Sequence, residues 1–261
     1  MDIQELAKRQ LADYDRHQPG TLFADGTAAF TVEQAYWLQM EVARLRQERG
    51  ELVAGYKIGC VSQTVQAQLG LDQPVFGHLY ETELHRSGVA LDSQRFDGLA
   101  IEGEFAVRLA EDVPDPEWLR ARPHRAIAAA FAVIELHNYV FRNPVRTAQE
   151  LIGNNAMHAG VVLPLQEPPV PDPDALLDEP ISVRKNGKML GTSTGRALPA
   201  GPLGSIIRLA EHLKLFGRSL RRGQIVLTGS PLPLYPVAPG DRMEVMCKRL
   251  GGVITASIPV A

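Results

Sequence analysis

Glu102 and Glu104 stand two apart in a segment where Ile101, Gly103, Phe105, Val107 and Leu109 alternate with Glu102, Glu104, Ala106 and Arg108. Such alternation marks a strand with one apolar face, so both carboxylates leave the other face, roughly 6 to 7 Å apart at the backbone. Spacing alone reads first as the solvated side of a half-exposed strand. It also fits two carboxylates converging on one hard cation, because like charges so close repel in a partly buried site and a divalent ion neutralises them. Oxygen-only ligation with open positions suits Mg²⁺ or Mn²⁺ better than zinc. Two further charges bear on the choice. Glu135 lies within the apolar run Phe131 to Leu136, where a carboxylate needs a cation, a metal or a raised pKa. An ion pair with Arg108 or Lys57 would meet that need as well. Lys57 sits among apolar and small residues between Val53 and Gly59. Its stem either lies along apolar surface with the ammonium in water, or its charge serves an acidic site by binding an anionic substrate or moving a proton.

These residues need elements to hold them. The spacing of Ile3, Leu6, Ala7 and Leu11 predicts a short leading helix, and Thr31 with Gln34 forms a capping-box pattern opening a helix that runs to Gly50. Val53 to Gly59 reads as a strand, Ser62 caps a short helix to Leu69, and Leu99 to Ala110 is the acidic-faced strand. After an acidic proline loop at Asp112 to Pro116, an alanine-rich helix is expected near Arg125 to Ala130, followed by a buried strand from Phe131 to Leu136. Pro164 to Pro180 is a proline-rich loop. Beyond it come a hairpin turning at Asn186-Gly187, a helix from Leu203 to Phe216, and strands at Ile225 to Leu227, Arg242 to Cys247 and Val253 to Ile258. No repeat of fixed period is present. The sum is a mixed α/β chain of the α+β kind with a β-rich second half, divided into an N-terminal helical region (1–52) and a metal-binding catalytic domain (53–261).

The chain of 261 residues is long enough for a substantial core, and its 45% hydrophobic and 22% charged residues are ordinary for a globular protein. A formal charge of −3 gives no basic excess, so nucleic acid is not an expected partner. The start lacks the pattern of a secretory signal, and no run of about 18 apolar residues occurs, so a cytoplasmic protein without membrane spans is expected. Cys60 and Cys247 form no zinc-type cluster and read as reduced thiols.

Six strings occur in order: GYKIG (Gly55 to Gly59), LGLDQPVFGHL (Leu69 to Leu79), IEGEFAVRL (Ile101 to Leu109), VIEL (Val133 to Leu136), NNAMHAG (Asn154 to Gly160) and IVLTGS (Ile225 to Ser230). Together they resemble the 2-oxopent-4-enoate hydratase and 4-oxalocrotonate decarboxylase branch of the fumarylacetoacetate hydrolase superfamily, over residues 30 to 250 or so. The resemblance implies Glu102, Glu104 and Glu135 as ligands of Mg²⁺ or Mn²⁺, Lys57 as a polar active-site group, a mixed β-sandwich roll with a small N-terminal helical region, and a homo-oligomer. It implies a lyase acting on a small 2-oxo or 2-hydroxydienoic acid: a hydratase adding water at the distal alkene carbon, with enolate charge stabilised by the cation. Val75 departs from the hydratases, which carry an aspartate there as a candidate acid/base, whereas the decarboxylases are apolar. The segment His137 to Arg142 departs from both groups. Decarboxylation of a 2-oxo-3-enedioate is therefore the alternative, ahead of acylpyruvate hydrolysis or tautomerisation, for which no His/Glu pair follows Gly59, and ahead of a non-enzymatic subunit stabilised by metal.

Around that core, further residues have two readings each. His137 shares a face with Glu135 if the strand continues, as an acid/base or supporting group, or is a structural donor. Arg142 offers a planar fork to a second substrate carboxylate, or is a surface arginine. Asn155 in the matched NNAMHAG string is a substrate-binding candidate; the direction of His158 is not readable. Thr228 and Ser230 present hydroxyls to a substrate carboxylate, or simply end a strand that turns at Gly229.

Overall fold

The computed structural model describes residues 2–24, 30–169 and 172–260. Residues 25–29 of the N-terminal helical region, and Val170 and Pro171 of the proline-rich loop, lie outside them. Helix α1 (Ile3–Asp15) starts where the Asp2 side chain accepts the N–H groups of Gln4 and Glu5, and α2 (Val32–Glu48) starts on the reciprocal bonds of Thr31 and Gln34. There follow β1 (Val53–Gly59), α3 (Gln63–Leu69), β2 (Val75–Tyr80), β3 (Leu84–Arg86), β4 (Val89–Ala90) and β5 (Ala100–Leu109). Next come α4 (Pro116–Ala121), α5 (Pro123–Ala126), β6 (Ile127–His137), α6 (Ala148–Gly153), β7 (His158–Leu163), β8 (Pro180–Lys185) and β9 (Lys188–Thr194). The chain ends with α7 (Gly201–Leu215), β10 (Ile225–Leu227), β11 (Tyr235–Pro236), β12 (Arg242–Cys247) and β13 (Gly252–Ser257).

Among the described residues the strands form two mixed sheets, ordered β2-β1-β10-β5-β6-β7-β3, with β11 also on β5, and β4-β13-β12-β8-β9. The mixed sheet-on-sheet roll expected from the resemblance is what forms. Long strands β5 and β6 bind it together: their apolar faces carry Ile101, Phe105, Val107, Ala132 and Ile134 against Val183, Val245 and Ile254 of the smaller sheet. Gly103 is required at that contact, since a Cβ there would lie 2.7 Å from the Val183 side chain. On the opposite face the larger sheet curls until β2 approaches β7. Asn155, just before β7, closes the curl by accepting the His78 N–H at 2.7 Å and donating to the His78 carbonyl at 2.9 Å. The N-terminal helices are tied to this body by buried amides: Gln39 donates to the Phe76 and Ile152 carbonyls, and Gln10 to the Gly153 carbonyl.

One expected element is absent. The alanine-rich stretch does not form a helix over 125–130; α5 stops at Ala126 and β6 begins at Ile127. Ala129 and Ala130 lie opposite Arg108 and Val107 of β5, and that pairing outweighs a helix preference worth a few tenths of a kcal/mol per alanine. Strands β2 and β7 were not foreseen either: both are buried, so their apolar residues show no alternation to read.

Candidate metal centre and its cavity

Strand register assembles the site. Lys57 lies opposite Leu227, Leu227 opposite Ala106, and Ala106 opposite Phe131. Moving along the strands, Glu104 pairs with Val133, Glu102 with Glu135 and Ala100 with His137. A period of two then places Lys57, Glu102, Glu104, Glu135 and His137 on one face, inside the curl. One half of that interior is an apolar plug of Leu79, Ala106, Phe131, Val133, Val161 and Leu227. The other half opens into a cavity of about 460 Å³ lined by Lys57, Glu102, Glu104 and His137, with Val61, Leu69, Phe141, Leu151, Met157 and Leu232 among its walls.

Glu135 is fully buried; its Oε1 lies 2.8 Å from His158 Nδ1 and 3.2 Å from Lys57 Nζ. The pairing with Lys57 anticipated as one reading of Glu135 therefore exists, while Arg108 is engaged by Glu167. Glu135 Oε2 has no hydrogen bond, nor has either ring nitrogen of His137. Glu104 Oε2 accepts the Gly229 N–H at 3.0 Å. Burial, then Glu135 and Glu102, push the Glu104 carboxyl well above the usual carboxylate range. Burial acts the same way on Glu135, but the charges of Lys57 and His137 and the bond from His158 outweigh it and hold that carboxyl well below the range. Burial alone would lower Lys57; Glu135, Glu104 and Glu102 reverse this and hold it above its ordinary value. His137, lowered by burial, is carried up to about 9 by Glu135 and Glu102.

The raised Glu104 carboxyl and His137 ring mark where protons offset the crowded acids. With those protons gone, three carboxylates facing the Lys57 ammonium carry a net charge of two negatives, which one divalent cation balances. The unpartnered oxygen and one nitrogen of the neutral ring supply free lone pairs in the same place. Among the described residues, ligand atoms of Glu102, Glu135 and His137 lie within 4.8 Å of one another, an arrangement able to hold an ion. Glu104 stands beside that group with one oxygen committed to Gly229.

The structure thus gathers Lys57, Glu102, Glu104, Glu135, His137 and Ser230 around one cavity. Other sequence candidates lie elsewhere. Arg142 is turned away: its guanidinium binds the Pro19 carbonyl and Asp97, so it braces the N-terminal segment and is not among the cavity lining. Thr228 Oγ1 donates to the Phe105 carbonyl and is fully buried behind the strand. Asn155 is spent on the backbone of β2, where it holds a turn in which Asn155, Ala156 and Met157 all have positive φ, at ~1–2 kcal/mol per residue. That turn brings Ala156 and Met157 into the cavity wall. Arg146, which sequence reasoning missed, lines the cavity; it lies in a loop without periodicity, so only proximity in the fold identifies it.

A family model described as fumarylacetoacetate (FAA) hydrolase C-terminal matches residues 71–256. The chain is 31% identical over 235 residues to the 2-hydroxyhexa-2,4-dienoate hydratase of Comamonas testosteroni, covering 87% of this chain and 86% of the relative. It is 25% identical over 250 residues to a 4-oxalocrotonate decarboxylase of Pseudomonas putida, covering 96% and 93%. In fold it is similar to the 4-oxalocrotonate decarboxylase of Pseudomonas putida G7 solved with magnesium and adipate, with a TM-score of 0.89 at 24% identity over 98% of this chain and 97% of that one.

Proposed function

The chain belongs to the fumarylacetoacetate hydrolase family, and on that premise we propose that it is a divalent-metal-dependent lyase of the 2-keto-4-pentenoate hydratase type. The observation that carries the reading is the charge imbalance around one cavity: Glu102, Glu104 and Glu135 against Lys57. These three carboxylates would hold Mg²⁺ or Mn²⁺, and the bound cation would supply Lewis-acid stabilisation of enolate charge on a 2-oxo acid. Lys57 Nζ, with Glu135 as its counter-ion, would donate to the anionic head of the substrate. Gly59 leaves room for it: a Cβ there would lie 3.1 Å from Nζ. The apolar walls suit the hydrocarbon part of a short dienoic acid. A homo-oligomeric, cytoplasmic enzyme is part of the same proposal; family membership supports it, and sedimentation of the purified protein tests the assembly.

Decarboxylation of a 2-oxo-3-enedioate is the second reading, favoured by two observations. Val75 is 1% exposed, lines the cavity and faces Gly59, so β2 brings no acid to the cavity to activate water. Arg146 offers a cation at the cavity, its guanidinium 5.4 Å from the Phe141 ring centroid, where a far carboxylate would find a partner. An ultraviolet and mass-spectrometric assay decides, offering 2-hydroxypenta-2,4-dienoate and 2-oxohex-3-enedioate with added Mg²⁺ or Mn²⁺. The hydratase reading expects metal-dependent gain of water by the first acid. Loss of CO₂ from the second, with the first inert, replaces it by the decarboxylase.

A further inference from the structure

His137 ends β6 two residues beyond Glu135, on the same side of the sheet. Its pairing partner across β5 is only Ala100, and the register with β7 shifts between Leu136 and His137, an irregularity of the kind that re-aims a side chain beside an active site. The ring is 4% exposed, which makes an unpartnered imidazole costly there. Both nitrogens nevertheless lack hydrogen bonds. Nε2 lies 3.3 Å from Glu102 Oε2 and 3.4 Å from Glu135 Oε2, without the alignment of a hydrogen bond to either. A buried imidazole held between two carboxylates, on the wall of the cavity they share, has the placement of a fellow ligand.

Building on the metal-dependent reading above, we propose that His137 Nε2 is a nitrogen ligand of the site, and that the centre prefers a first-row transition dication such as Mn²⁺ to Mg²⁺. The chemical reason lies in the donor set. Mg²⁺ favours oxygen and gains little from imidazole, whereas transition dications bind mixed nitrogen and oxygen sets and follow an order of affinity set by such ligands. Glu102 and Glu135 supply oxygen, His137 supplies the nitrogen, and Glu104 Oε1 is free of the Gly229 bond that occupies Oε2. His158 does not substitute for it, because its Nδ1 is taken by Glu135 Oε1 and the residue lines a second cavity, with Arg46 and His85, rather than this one.

The experiment is pulsed electron paramagnetic resonance on the Mn²⁺-loaded full chain, prepared with ¹⁴N- and with ¹⁵N-histidine, alongside calorimetric titration with Mn²⁺ and with Mg²⁺. A ¹⁴N coupling that changes on ¹⁵N labelling is expected, together with its loss in His137→Ala and a fall in the Mn²⁺-over-Mg²⁺ affinity ratio of at least roughly tenfold. The labelled parent protein gives the answer even if the variant does not fold. Mn²⁺ binding without nitrogen coupling, coupling that survives His137→Ala, or an unchanged affinity ratio overturns the ligand role while leaving a metal-dependent lyase intact. Failure of every dication to bind, or binding indifferent to Glu102→Gln, removes the metal-dependent reading as well.

Discussion

Arg46 and Glu135 are both buried ions, and their surroundings differ in kind. Arg46, at the end of α2, donates from Nε and Nη2 to Glu51 Oε2 at 2.9 and 2.5 Å and from Nη2 to Glu83 Oε1 at 2.7 Å, with its guanidinium carbon 3.5 Å above the Tyr80 ring. Thr82 and Arg49 complete Glu51, leaving Glu83 Oε2 as the oxygen of this cluster without a bond. This cluster also lines a cavity, but its charges meet opposite charges, and the result ties the N-terminal helices to the ends of β1 and β2. The Glu135 cluster has three acids for one lysine, leaves an oxygen and two ring nitrogens unpartnered, and faces a cavity. A buried cluster that closes on itself is a fastening. One left open with excess charge awaits something from solution.

The largest effect separating the two clusters should come from Glu104→Gln. The amide keeps the shape and can still accept the Gly229 N–H, while one carboxylate leaves a crowded acidic set. Turnover should fall roughly a thousandfold, the several kcal/mol expected when a Lewis-acidic site is impaired, with weaker cation binding and an undiminished melting temperature in chelator. Steady-state kinetics with calorimetry measures this; near-normal turnover would place Glu104 outside the chemistry.

Arg46→Ala is the converse and the next in size. It strands Glu83 in a mostly buried setting and leaves Glu51 to Arg49 and Thr82, so stability should drop by about 3 kcal/mol, seen in denaturant titration, while kcat of the remaining folded protein stays unchanged. Equal loss of kcat and stability would dissolve the distinction between fastening and open site.

Legibility in the sequence follows the same physics. The acidic strand, Glu135 and Lys57 were readable because period two fixes a face and a charge in an apolar run demands a partner, both local facts. Helix α2 was readable from its capping box. The fate of Arg142, Thr228 and Asn155 was not, because each is bound to a backbone group distant in sequence: Pro19, Phe105 and His78. Nor could spacing show that β6 would take up Ala129 and Ala130, since helix preference is local and pairing with β5 is not. His137 was legible as a neighbour of Glu135 on one face, but its position between two carboxylates depends on the cross-strand register of Glu102 and Glu135.

A smaller contrast of the same type sets His137 against His78, a buried histidine with no carboxylate beside it. His78 Nδ1 sits 3.1 Å from Gln39 Oε1, and its ring is stacked near Tyr80. Burial, with Arg218 and Arg46 nearby, lowers it to about 3 against the opposing bond from Asn155. An unfolded histidine takes a proton below about 6.5, whereas the folded one stays neutral until pH approaches 3. Between those values the unfolded state binds more protons, so stability falls as pH falls, by up to about 1.4 kcal/mol per unit; above 6.5 the group contributes no slope. His212, which burial lowers to about 4, adds to the same decline and leaves part of it in a His78 variant. Urea titrations at pH 7 and pH 5 should therefore show a loss of about 2 kcal/mol from His78 that is missing in His78→Gln. Identical losses in both proteins would mean that His78 takes up a proton in the folded state, and that burial without a carboxylate does not keep a histidine neutral here.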